Sequence, residues 1–128
     1  MHPRELLAVF LGGGIGSVAR YAVGLLFVQR FGPGFPYGTL AINLAGCLVI
    51  GMVVQIAQTR ALGLSPLVRV FMTAGVLGGF TTFSTFAYET VTLFGESLTG
   101  PAIAYVLISV VGGLIAAFAG IAIVRVAG

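Results

Sequence analysis

The sequence predicts an all-α membrane protein with four transmembrane helices in a single domain spanning residues 1–128. Three observations carry that expectation. Hydrophobic residues make up 59% of the chain, charged residues only 7%, and the mean hydropathy is +1.15. A soluble domain carries about 25% charged residues, so this surface could not keep a globule in water. The apolar residues fall into four long stretches of the length a bilayer needs. The joins between those stretches are short and rich in glycine, proline or polar residues.

The first stretch covers residues 6–28. Arg4, the apolar run and Ser17-Val18-Ala19 have the layout of a secretory signal peptide, but more membrane follows instead of a soluble domain. Phe31-Gly32-Pro33-Gly34-Phe35-Pro36 reads as a turn, and the second stretch covers residues 37–57. A polar loop over 58–66 holds Arg60, and Pro66 suits the first turn of the next helix. The third stretch covers 67–94, a loop follows over 95–100, and Pro101 opens a fourth stretch ending near Val126. Backbone groups in lipid must be satisfied within their own segment, so stretches of this length are expected to be helices. Strands would be shorter and would alternate apolar with polar residues, a pattern the sequence lacks.

An even number of spans puts both ends of the chain on one side. All six basic residues are arginines, and the three acidic residues are Glu5, Glu89 and Glu96. Arg4, Arg60, Arg69 and Arg125 fall on the side of the chain ends, Arg30 on the other, and Arg20 inside the first span. The positive-inside rule leans toward ends in the cytoplasm and a multi-pass protein of the inner (plasma) membrane. Scattered arginines form no patch that could grip phosphates, so no nucleic-acid partner is expected. Glycine is abundant, at 20 residues. The rows Gly12, Gly16, Arg20, Gly24 and Gly112, Ala116, Gly120 step by four, which brings helices close together in lipid. Helices packed that tightly leave little room for a pore within one chain, so a pathway calls for a second copy.

The third span contains the polar signal. Gly78-Gly79 weakens a helix and Thr81-Thr82 adds two β-branched hydroxyl residues, all near the middle of the span. A break there frees backbone carbonyls, which must face protein, water or an ion and can coordinate a small cation. Beyond the break, Thr82, Thr85, Glu89 and Thr92 share one helical face, and Phe83 and Phe86 share a neighbouring one. Ser and Thr hydroxyls often bond back to their own helix, and phenylalanines often simply pack; neither habit explains the whole row. Thr39 and Asn43 on the second span, and Tyr105 and Ser109 on the fourth, each sit one turn apart. Arg20 is an intramembrane charge that is costly unless paired, wet, or able to snorkel to an interface. These groups are mainly hydrogen-bond donors, which suits an anion stripped of water. Aromatic ring edges are positive and add to that preference.

Catalysis has no visible machinery. One His (His2), one Cys (Cys47), no Asp and three separated Glu assemble neither a metal centre nor an acid–base pair, so no enzyme is expected. Gly14-Ile15-Gly16-Ser17-Val18-Ala19 matches a dinucleotide fingerprint without the βαβ unit or the acidic residue that would give it meaning. No ATP-binding loop is present, so transport would be passive or ion-coupled. A proton-coupled exporter of cationic drugs would want a carboxylate deeper in the membrane than Glu5 or Glu89. A purely structural assembly subunit would leave the central polar break without a purpose.

Three motifs lie in order and register. The most specific is Gly78-Gly79-Phe80-Thr81-Thr82-Phe83-Ser84-Thr85-Phe86. Gly12-Gly13-Gly14-Ile15-Gly16-Ser17-Val18-Ala19-Arg20-Tyr21 and Gly38-Thr39-Leu40-Ala41-Ile42-Asn43-Leu44-Ala45-Gly46 support it. Over nearly its whole length the sequence resembles the Fluc family of small bacterial fluoride channels. The resemblance implies an antiparallel, dual-topology homodimer with a broken third helix in each subunit. It further implies two fluoride pores at the subunit interface and passive export that protects the cytoplasm from fluoride. On that resemblance, Phe83 and Phe86 match pore-lining rings and Asn43 a pore asparagine, while Tyr105 and Ser109 match polar positions on the fourth helix. Ser84 and Thr85 would add hydroxyl donors. Arg20 matches a first-helix arginine and Glu89 a vestibule carboxylate. Gly78 and Thr81 match residues whose backbone carbonyls hold a structural sodium ion at the dimer axis.

Overall fold

The computed structural model describes residues 2–59 and 63–127; Arg60, counted above among the arginines near the chain ends, lies outside them. The chain runs as α1 (Pro3–Phe31), α2 (Tyr37–Gln58), α3 (Pro66–Val70), a π-helical stretch (Phe71–Leu77), α4 (Gly78–Phe80), α5 (Phe83–Gly95) and α6 (Thr99–Ala127). Four spans are long and apolar enough to cross a membrane: Pro3–Phe31, Tyr37–Gln58, Pro66–Gly95 and Thr99–Ala127.

Local chemistry accounts for the ends. Pro3 opens α1 where a missing N–H costs nothing, and Arg30 in the last turn complements the helix dipole. Gly32 stops α1 at φ 77°, a conformation that favours glycine, and its N–H reaches the Val28 carbonyl at 2.9 Å. Ser65 caps α3 by accepting from the Val68 N–H at 3.3 Å, with Pro66 in the first turn. Ser97, at φ 62°, turns the chain between α5 and α6, and the Leu98 N–H returns to the Leu93 carbonyl at 2.9 Å.

Of the two pairs expected to weaken the third span, only the second interrupts it. Gly78 and Gly79 remain helical, and the interruption falls on Thr81 (ψ 160°) and Thr82 (φ −153°, ψ 121°), both extended. A π-helical stretch, which the composition does not announce, precedes it. Wider i→i+5 turns of this kind often mark functional positions within helices.

Packing follows the small residues. α1 lies against the π-helical stretch and α4, and α2 lies along α6. A Cβ on Gly16 would overlap the Val76 carbonyl oxygen, and one on Gly12 would sit 2.7 Å from the Phe71 carbonyl oxygen. Gly51 meets the Ala117 carbonyl, and Gly120 meets that of Leu48, in the same way. In lipid such close approach replaces the hydrophobic drive that water would supply. The buried apolar set is correspondingly small: Ile42, Val53, Leu77, Phe86, Leu93, Ala102 and Tyr105. Most large apolar side chains, Phe10, Val18 and Phe118 among them, point outward as lipid-facing groups do.

Candidate functional site: the interrupted third span

The site begins with what holds the interruption open. Asn43 on α2 donates from Nδ2 to the Thr82 carbonyl and accepts at Oδ1 from the Thr82 N–H, each at 2.9 Å. One planar amide thus satisfies both backbone groups of an extended residue, as a neighbouring strand would. The Thr82 hydroxyl then caps α5, accepting from the Thr85 N–H at 3.3 Å and donating to Thr85 Oγ1 at 2.9 Å. Ser84 Oγ lies 3.4 Å from the same hydroxyl.

These bonds redirect donors. In a continuous helix the Thr82 and Thr85 N–H groups would serve the carbonyls of Gly78 and Thr81. Here they go to Asn43 Oδ1 and Thr82 Oγ1 instead. The Gly79 carbonyl, next in line, accepts from Arg20 Nε at 2.9 Å. Arg20 is therefore paired at mid-span and does not snorkel, which lowers the cost of its charge in the membrane. Thr81 closes the preceding turn, with both its N–H and its hydroxyl on the Leu77 carbonyl at 3.0 and 2.9 Å.

A cleft of about 370 Å³ opens beside the interruption, lined by Asn43, Gly78, Thr81, Thr82, Phe83, Phe86 and Ser109 among others. The two phenylalanines share it unequally. Phe83 is 80% exposed on the subunit surface, whereas Phe86 is 9% exposed and packs on Tyr105 with ring centroids 5.1 Å apart. Their own centroids are 5.6 Å apart at an interplanar angle of 48°. Ser109 Oγ is buried at the cleft and has no hydrogen-bond partner among the described residues. A buried hydroxyl left open costs about 1–3 kcal/mol, so it is a donor available to whatever enters.

Toward the Arg30 end of the molecule lies a carboxylate held by two hydroxyls. Thr39 Oγ1 donates to Glu89 Oε1 at 2.8 Å, and Tyr105 Oη donates to Glu89 Oε2 at 2.7 Å. Tyr105 is fully buried between Phe86 and Phe35. Tyr105, expected among the polar positions of the fourth helix, directs its hydroxyl hydrogen to Glu89, and its ring supports Phe86. Glu89 also borders a second cavity of about 280 Å³, with Tyr37, Tyr88 and Glu96.

The expected hydroxyl row divides. Thr92 bonds back to the Tyr88 carbonyl at 3.0 Å, as an ordinary membrane-helix threonine does. Thr82, Thr85 and Glu89 make the longer-range or capping bonds described above. Sequence reading left two roles unassigned: Thr39 as a carboxylate donor, and Thr82 as the clamped and capping residue. Cys47, noted only as an unpaired cysteine, lines the cleft. The turn-spacing of Thr39 and Asn43 was the available signal, but nothing local indicates which span each one faces.

Comparison with known proteins identifies relatives of this chain. The family model for CrcB-like protein, Camphor Resistance (CrcB), matches residues 7–121. A fluoride-specific ion channel FluC of Chloroflexus aurantiacus is 50% identical over 121 residues, covering 94% of this chain and 95% of the relative. The Rhizobium meliloti protein of the same name is 44% identical over 121 residues, covering 94% and 96%. One from Anaeromyxobacter sp. (strain K) is 46% identical over 122 residues, covering 94% and 95%. With the family model spanning most of the chain and these identities over nearly its full length, the chain belongs to the CrcB/Fluc family, whose members are multi-pass membrane ion channels and not enzymes.

Proposed function

We propose that this chain forms a passive, fluoride-selective channel in the plasma membrane, built as an antiparallel homodimer with pores at the subunit interface. The name shared by the relatives supports fluoride as the ion. The observation that carries the reading is the cleft beside the clamped interruption, where neutral donors and ring edges gather without a catalytic group.

Fluoride entering a narrow site must exchange strong water hydrogen bonds for protein donors. The unengaged N–H of Asn43 Nδ2, the open hydroxyl of Ser109 and the hydroxyls of Ser84 and Thr85 supply them. Phe83 and Phe86 contribute positive ring edges, weak enough to release the ion again. Chloride is larger and binds such donors less strongly, so width and ligand type select against it. The side chain of Phe83 lies open on a single subunit, and a second copy would enclose it. Hydrogen fluoride crosses membranes and ionises inside; a potential-driven anion leak drains what accumulates. In this scheme Arg20 and Glu89 flank the pathway, Arg20 through the Gly79 carbonyl and Glu89 through Thr39 and Tyr105.

The residues at the interruption fit a structural sodium ion. The carbonyls of Gly78 and Thr81 are denied their helical donors, and hard carbonyl oxygens suit a hard monovalent cation. Two subunits meeting there would offer both pairs.

Purified protein in liposomes should release fluoride and retain chloride. An absence of fluoride release from vesicles shown to contain folded protein would end this reading. Anomalous scattering from a heavier cation exchanged into the dimer axis tests the sodium site; empty density between the two copies of Gly78 and Thr81 would remove it.

A further inference from the structure

Six aromatic rings stand in file from the turn between α1 and α2 to the cleft. Phe31, Tyr37, Phe35, Tyr105, Phe86 and Phe83 follow one another with centroid separations of 5.6, 4.7, 5.6, 5.1 and 5.6 Å. Phe35 is the link that leaves the turn and enters the core, and its place is set locally. Gly32 reverses the chain at φ 77°. Pro36, at φ −79° and ψ 56°, is the centre of an inverse γ-turn closed by the Tyr37 N–H on the Phe35 carbonyl at 2.8 Å. The proline ring fixes that φ, and the Pro36 carbonyl accepts from the Leu40 N–H at 3.1 Å as α2 begins. Phe35 is thereby tied to the start of α2, and its side chain packs on the buried cluster of Phe86, Leu93, Ala102 and Tyr105.

Tyr105 passes that contact on. Its fully buried ring meets Phe35 edge-to-face at 75° and Phe86 at 60°, and its hydroxyl donates to Glu89 at 2.7 Å. Aromatic pairs prefer such geometry, so the orientation of one ring constrains the next. An aliphatic side chain in place of Phe35 would let the Tyr105 ring tilt, which moves Phe86 and disturbs the bond to Glu89 together. Turn residues are ordinarily tolerant of change; this one supports the core beneath the cleft without lining the cleft itself. We propose that Phe35 is a positioning residue for the ion pathway: seated on Tyr105, it holds Phe86 and Glu89 in the arrangement that conducts. The inference rests on the channel reading and extends it to a residue that need not touch the ion. Packing alone would make Phe35 matter to stability and not to the rate at which folded protein conducts.

The test measures fluoride release from liposomes, per folded protein, for the full-length parent and its variants. Phe35→Leu keeps an apolar side chain and loses the ring, and release should fall at least about threefold. Phe35→Ile repeats the comparison with a second aliphatic shape and should fall likewise. Phe35→Tyr keeps the ring, and the cavity of about 280 Å³ that Phe35 borders has room for the added hydroxyl. Its release should stay within about twofold of the parent. Val53→Ala removes buried bulk from α2 outside the file of rings. It should lower the melting temperature in detergent and still release fluoride within about twofold of the parent. Unchanged release in Phe35→Leu and Phe35→Ile overturns the proposal. So does an equal fall in Phe35→Tyr, because the ring would then not be what counts. A fall in Val53→Ala that matches Phe35→Leu overturns it too, because lost stability would account for both. A parent that releases no fluoride ends the channel reading and this inference with it, whereas parent release that Phe35→Leu leaves unchanged removes this inference alone.

Discussion

Asn43 and Thr82, on different spans, exchange two hydrogen bonds of 2.9 Å, and through them an asparagine side chain stands in for the missing helical partners of an extended residue. Asn43→Leu keeps similar volume and removes both bonds. The Thr82 N–H and carbonyl would then be stranded in a low-dielectric interior at a cost of about 2–4 kcal/mol in unfolding free energy. Fluoride efflux from liposomes should fall with it. Asn43→Asp keeps the acceptor for the Thr82 N–H, so a smaller loss of stability is expected. Thermal unfolding in detergent measures both, and equal losses would show that the bond accepted from the Thr82 N–H contributes nothing.

The two cleft phenylalanines should separate stability from conduction. Phe83 is exposed on the subunit and Phe86 is buried against Tyr105. Phe83→Ile should leave the unfolding of the subunit within about 0.5 kcal/mol of the parent. Losing its ring edge should nevertheless lower fluoride flux by about three- to tenfold. Phe86→Ile should lower flux and also destabilise by about 1–2 kcal/mol through repacking of a core shape. Unchanged flux in Phe83→Ile would return that ring to a packing or lipid-facing role.

Thr39 and Tyr105 serve the two oxygens of one carboxylate, so their removal should not be additive. Thr39→Val and Tyr105→Phe each delete one donor to Glu89 and should cost about 1–2 kcal/mol singly. The double variant should deviate from the sum by at least about 0.5 kcal/mol, because the first deletion already loosens the carboxylate the second acts upon. A double-mutant cycle on unfolding free energy reads this directly. Strict additivity would mean that the two hydroxyls act independently.

Gly16→Ala tests the backbone contact between α1 and the π-helical stretch. Its Cβ would run into the Val76 carbonyl oxygen and lie 2.8 Å from the Phe80 N. The helices must separate, at about 1–3 kcal/mol. Two residues earlier, a Cβ on Gly14 meets nothing within 4 Å inside the subunit. Gly14→Ala should therefore leave the isolated subunit unharmed, or stabilise it by up to about 1 kcal/mol through helix propensity. A comparison of their melting temperatures decides the matter.

Much of the architecture was legible because lipid simplifies the problem. Four apolar stretches with few charges can be little other than spanning helices, and their ends carry recognisable marks in Pro3, Gly32 and Pro66. The rows Gly12–Gly16 and Gly112–Gly120 announced close packing, and Gly12, Gly16 and Gly120 do meet neighbouring backbone. The polar positions were also found, since an Asn, an Arg or a Glu within an apolar span stands out in composition alone.

What sequence alone determined, then, is how many helices there are, where they start and stop, and which side chains bear the polar chemistry. Those follow from local propensity and from the cost of unpaired polar groups in hydrocarbon. Only the tertiary structure decided that Gly78 and Gly79 stay helical while Thr81 and Thr82 extend, because the break is stabilised by Asn43 from another span. It alone decided that Arg20 pairs with Gly79, that Glu89 draws its donors from α2 and α6, and that Phe83 faces outward while Phe86 packs inward. Each of these depends on how the spans are rotated against one another. That rotation is set by backbone contacts at glycines between residues as far apart in the chain as Gly16 and Val76, which no local pattern encodes.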